Sequence, residues 1–153
     1  MTPWLLHAVL LINVAGVEEV AHVDARDHPV PGAGREAFER MERALVQGFD
    51  DICGDTFCEG EYANLRALQL RCAVRRHDGR VAQCLWSFAG SHARVGGQNP
   101  VPVVQAQTYA CELPVGEYTT WAWMQQNLVG RDALDTVLPA SGRSSYDALT
   151  DCL

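Results

Sequence analysis

Between Arg35 and Cys53 the chain reads REAFERMERALVQGFDDIC, with Phe38, Met41, Leu45, Phe49 and Ile52 recurring every three or four positions. That spacing lines one face of an α-helix. Arg35, Glu36, Glu39, Arg40, Glu42 and Arg43 fall mostly off the stripe. A stripe of this kind packs against a flat apolar surface, and the next segments supply one. From residue 65 the period drops to two. Leu68, Leu70, Cys72 and Val74 alternate with Gln69, Arg71, Ala73 and Arg75, and Ala82, Cys84, Trp86 and Phe88 alternate with Gln83, Leu85 and Ser87. Alternation of this kind predicts half-buried strands at 65–76 and 81–95.

The turn RHDGR between them sets the register. A two-residue loop at Asp78-Gly79 would place inward residues opposite outward ones. A three-residue loop, His77 to Gly79 with Gly79 left-handed, places Val74 opposite Ala82, Cys72 opposite Cys84, Leu70 opposite Trp86 and Leu68 opposite Phe88. Every pair is then inside to inside, and Cys72 and Cys84 form a hydrogen-bonded pair. A third strand, VPVVQAQTYACEL, follows GGQNP. A turn at Gly96 to Asn99 would set Trp86 opposite Tyr109 and Cys84 opposite Cys111. Further on, TTWAWMQQNLV predicts a short helix with Trp121, Met124 and Leu128 on one side. SSYDALTDCL predicts a last helix, with Ser144 as N-cap and Asp147 three residues later. Tyr146 and Leu149 face inward on it, with Cys152.

These elements predict an α+β fold. An N-terminal amphipathic helix packs on an antiparallel β-sheet, short helices follow, and disulfides staple the whole. The order of elements is similar to cystatin-like and nuclear-transport-factor-like folds, by analogy only.

The chain has 153 residues, 48% of them hydrophobic and 20% charged, which suits one globular domain with a sizeable core. A formal charge of −7 opposes nucleic-acid binding, which needs clustered cations. All twelve cations are Arg, so Schiff-base, P-loop and Ser-Lys chemistries are excluded. The apolar run from Trp4 to Val17 is too short to span a bilayer comfortably and reads as the core of a secretory signal within residues 1–25. Cleavage fits after Gly16 or Ala25. The Pro- and Gly-rich HVDARDHPVPGAG, residues 22 to 34, then reads as a tether, of which 26–34 would remain after the later cut, and 35–153 as the single domain. An exported location, periplasmic or extracellular, agrees with six cysteines: Cys53, Cys58, Cys72, Cys84, Cys111 and Cys152. Local geometry favours Cys53–Cys58. For the rest, Cys72–Cys84 with Cys111–Cys152 is favoured over Cys84–Cys111 with Cys72–Cys152, because Gly79 fixes the first hairpin better than GGQNP fixes the second.

The stretch DDICGDTFCEGEY gathers Asp50, Asp51, Asp55, Glu59 and Glu61 around the first two cysteines. It reads as a disulfide-tied connector. Calcium is the alternative, although the spacing is not that of an EF-hand loop. No other cofactor is implied. G-x-S-x-G and H-E-x-x-H are absent, and no catalytic residue is assigned. CGDTFCEG, followed by RCAV, GRVAQCLWSF and the terminal YDALTDCL, resembles a family of uncharacterised exported bacterial proteins. The resemblance implies an exported domain with no activity to carry over. The leading expectation is a non-enzymatic domain that binds a protein or surface partner, with no nucleic acid and no integral membrane segment in the mature chain. The competing one is a small-molecule pocket or enzyme with Phe38, Trp86, Phe88 and Tyr109 lining a cavity between helix and sheet.

Overall fold

A computed structural model of the protein describes residues 21–53, 57, 58, 60, 62–98 and 100–153. In chain order the elements are strand β1 (His22–Asp24), a single 3-10 turn (Ala25–Asp27), helix α1 (Arg35–Ile52), strands β2 (Arg66–Arg75), β3 (Val81–Arg94) and β4 (Val103–Glu112), and helices α2 (Trp121–Asn127) and α3 (Ser145–Cys152). The four strands form one antiparallel sheet in the order β1-β2-β3-β4. The signal-like run Trp4 to Val17 lies outside the described residues.

Helix α1 is therefore not the first element. Residues 22 to 34, expected to be a tether, are built into the fold. Val23 pairs with Val74 and Asp24 with Ala73, while Ala25 is fully buried. The Asp24 carboxylate accepts from the Arg26 N–H at 2.9 Å, Asp27 accepts from the Gly32 N–H at 2.8 Å, and Arg26 stacks over the Phe38 ring. Proline and glycine here make a compact turn around short-range caps. The pairing that holds β1 comes from a strand some fifty residues on, which local composition does not reveal.

The apolar stripe of α1 behaves as its spacing predicts. Phe38, Met41, Leu45 and Phe49 are completely buried. Phe49 meets Trp86 and Phe88 of β3, with ring centroids 6.2 and 5.0 Å away. Phe38 packs on Trp121 of α2 at 5.9 Å. Glu42 leaves the helix to accept the Leu70 N–H of β2 at 3.1 Å, so a polar contact also sets the height of α1 on the sheet.

The β2–β3 register follows the sequence in its middle and departs at both ends. Leu70 faces Trp86 and Cys72 faces Cys84, as the turn argument requires. Two bulges interrupt the rest. Ala82 is the extra residue on β3, so Val74 faces Val81 instead of Ala82. Leu68 is the extra residue on β2, so Ala67 faces Phe88 and Leu68 is 57% exposed. Leu65 takes the buried place that Leu68 gives up. Gly79 is left-handed, but its N–H reaches the Arg75 carbonyl at 2.9 Å, and Arg75 and Arg80 close a four-residue loop. The longer loop and the bulge change the phase of the ladder. Cys72 and Cys84 consequently occupy a non-hydrogen-bonded position, with Cα atoms 4.1 Å apart, closer than the hydrogen-bonded geometry expected.

The β3–β4 register is two residues from the expected one. Trp86 faces Cys111 and Phe88 faces Tyr109. The strands run on to the Arg94–Val103 pair, so the connection is an eight-residue loop rather than a turn at Gly96 to Asn99. An even shift keeps every side chain on its expected face but removes the Cys84–Cys111 pairing. Tyr109, Cys111 and Trp86 still point toward the helices.

Thr120 caps α2 by accepting the Trp123 N–H, and Trp121, Met124 and Leu128 are buried. At α3, Ser144 and Asp147 form a reciprocal capping box, and Leu149 is buried. Among the described residues no helix is long and apolar enough to cross a membrane.

Candidate binding surface

The six cysteines form three pairs at bonding distance, Cys53–Cys58, Cys72–Cys84 and Cys111–Cys152, and none is free. This is the pairing that the hairpin argument favours. Cys72–Cys84 lies on the buried side of the sheet, and Cys111–Cys152 ties α3 to β4 across a separation of 41 residues. Cys53–Cys58 closes the exit of α1, where the Cys58 N–H donates to the Cys53 carbonyl at 2.6 Å.

Of the carboxylates near that exit, Asp50 and Asp51 are exposed, and Asp51 accepts from the Gln47 amide at 2.7 Å one turn earlier. Asp55, Glu59 and Glu61 lie outside the described residues. Among the described residues no three His, Cys, Asp or Glu side chains are grouped to hold a metal ion.

The four aromatic residues expected to line a cavity fill the space instead. Phe38, Trp86 and Phe88 are at most 1% exposed, and the Trp86 and Phe88 centroids are 4.8 Å apart. Tyr109 stands half-buried at the edge, with Tyr62 edge-on at 6.5 Å. Ring-to-ring contact of this kind leaves no room for a ligand among them. Surface clefts are found elsewhere, away from these four side chains.

One such cleft, of about 350 Å³, lies on the face of the sheet that carries no helix. Strand alternation places His22 and Asp24 of β1, Arg71 and Ala73 of β2, and Gln83 and Leu85 of β3 on that face. Ala73 is its small floor. Leu85 is 42% exposed, an apolar side chain standing in open solvent. Asp24 faces Arg71 at 3.6 Å, and the Arg71 guanidinium also donates to the Leu70 carbonyl at 2.9 Å. The result is a shallow, nearly neutral groove with a leucine wall and a salt-bridged rim. Sequence alternation identifies Leu85 as outward. What it could not show is that β1 adds His22 and Asp24 beside it.

Two carboxyls are held below the ordinary carboxylate range, and both have structural duties. At Asp78 partial desolvation is the largest influence and pushes upward. Hydrogen bonds from the Arg75 side chain and the Arg80 N–H, with the charges of Arg75 and His77, outweigh it. At Asp147 the Ser144 N–H and then the Ser144 hydroxyl hold the carboxylate down. One closes a hairpin and the other caps a helix. Comparison with known proteins finds no matching family model, no matching curated protein and no matching solved structure.

Proposed function

We propose that the protein is an exported, disulfide-stapled domain that binds a protein or surface partner and does no chemistry on it. The observation that supports this reading best is the closed aromatic core. Helix α1 and the sheet meet through packed rings, where a helix-on-sheet enzyme or carrier needs a cavity. The helix-free face of the sheet, with Leu85 exposed between Gln83 and the Asp24–Arg71 pair, is the surface that fits a flat partner. Export is supported by the signal-like run Trp4 to Val17 and by six cysteines without a free thiol.

The position of β1 bears on processing. A cut after Ala25 would detach β1 from β2 and expose the site that Ala25 fills, whereas a cut after Gly16 leaves both in place. Gly16–Val17 is therefore the processing site in this reading. Expression of the full chain in a bacterium, with fractionation and mass measurement, tests it. The expected result is protein outside the cytoplasm that begins at Val17. Folded protein retained in the cytoplasm, or a product beginning at Arg26, contradicts it. For the partner, chemical cross-linking in the exported fraction should give an adduct that Leu85→Glu loses. An adduct indifferent to that change would move the binding surface elsewhere.

A further inference from the structure

The two edges of the sheet are protected very differently. Strand β1 is a three-residue edge carrying Asp24, the short and charged kind that discourages pairing. Strand β4 is the other edge, ten residues long. From Val95 to Cys111 the sequence holds no Asp, Glu, Arg or His. The β3 edge that β2 leaves bare is guarded, because Asn64 accepts from the Ser91 N–H at 2.6 Å and donates to its hydroxyl at 2.8 Å. Nothing comparable is seen along β4 among the described residues.

The ladder shows which backbone groups are open. Leu113 N–H donates to the Cys84 carbonyl at 2.9 Å, in phase with the β3–β4 pairing. Val103, Gln105, Gln107, Tyr109 and Cys111 thus turn their backbone groups toward β3. Val104, Ala106, Thr108 and Ala110 turn theirs outward. We infer that this edge pairs antiparallel with β4 of a second copy of the chain, joining two four-stranded sheets into one.

Charge and symmetry select the second copy. Each chain has a formal charge of −7, so two copies approach most easily where neither presents a carboxylate; Val103 to Cys111 of β4 carry no charge, and Glu112 falls beyond the span that would pair. A two-fold axis at Gln107 is self-complementary. It sets Val104 opposite Ala110 and Ala106 opposite Thr108 on one face, and Gln105 opposite Tyr109 on the other. The outward groups then make about eight backbone hydrogen bonds with no like charges opposed. This pairing is independent of the partner taken by the Leu85 face.

Sedimentation equilibrium of the protein from Val17 onward, disulfides intact, from micromolar to millimolar concentration, tests the inference. The expected result is a concentration-dependent dimer. Thr108→Pro removes an outward N–H that the chain's own sheet does not use, and Ala106→Lys adds a charge to the edge. Each should raise the dimer dissociation constant by roughly tenfold or more while leaving the near-ultraviolet circular dichroism unchanged. If Thr108→Pro disturbs the spectrum, Ala106→Lys alone decides. A monomer over the whole range, or a dimer indifferent to Ala106→Lys, overturns the inference.

Discussion

Gly34 sits where helix α1 leaves the 3-10 turn, and a Cβ there would run into the Ala25 carbonyl. The Gly34 N–H also donates to the Arg26 carbonyl at 2.9 Å. Gly34→Ala must push the turn, and with it β1, off the sheet. It should destabilise the fold by about 1–3 kcal/mol, read from the denaturant midpoint. Gly90 has a similar constraint on the buried side of β3, where a Cβ would meet Tyr62 and Leu65 at 2.9 Å. Ser144→Ala loses one half of the α3 capping box and should cost about 1 kcal/mol. Its partner sets a pH dependence. The folded Asp147 carboxyl binds its proton less readily than the unfolded one, so its contribution is complete above the unfolded value. The contribution is lost as pH falls from about 4 through the lowered folded value. Asp147→Asn should therefore flatten the acid limb of a stability-against-pH curve and leave its neutral shape alone. An unchanged acid limb would show that Asp147 does not contribute to the acid dependence of stability.

At the scale of elements, what the sequence reveals depends on the range of the interaction. The α1 stripe and the α3 capping box are local patterns, and both are present where their residues place them. The alternation in β2 is local too, but a bulge depends on how many residues the partner strand brings. Leu68 continues the inward parity of Leu70 and Cys72, yet it is the extra residue and points to solvent. β1 is three residues long, and only its pairing with β2 identifies it as a strand. β4 is displaced by two because the sequence GGQNP is compatible with several loop lengths and so fixes no register, whereas Gly79 closes its hairpin tightly. Of the proposed binding surface, Leu85 and Gln83 are legible as outward residues from the alternation, and β1 supplies the part that is not. The last helix depends on a long-range tie. Cys152→Ser opens a loop spanning 41 residues, and the loop-closure model gives a loss of about 4 kcal/mol. Amide exchange in α3 should then be faster than in α1. Equal exchange in the two helices would show that packing of Leu149 holds α3 without the bridge.

For the molecule as a whole, the disulfides and the core point to the same kind of protein. Rings from α1, β3 and α2 fill the interior, and two of the three bridges fasten strands to each other or to a helix around them. Such a framework suits an oxidising compartment. The proposed export and the three cysteine pairings stand together, because the pairings need an oxidising compartment to form. Proteolytic mapping of the protein recovered from a bacterial host, alkylated without prior reduction, tests both most directly. The expected result is no alkylated cysteine and three linked peptide pairs, joining Cys53 to Cys58, Cys72 to Cys84 and Cys111 to Cys152. A Cys84–Cys111 peptide would contradict the β3–β4 register, and free thiols at Cys72 and Cys84 in folded protein would contradict the framework itself.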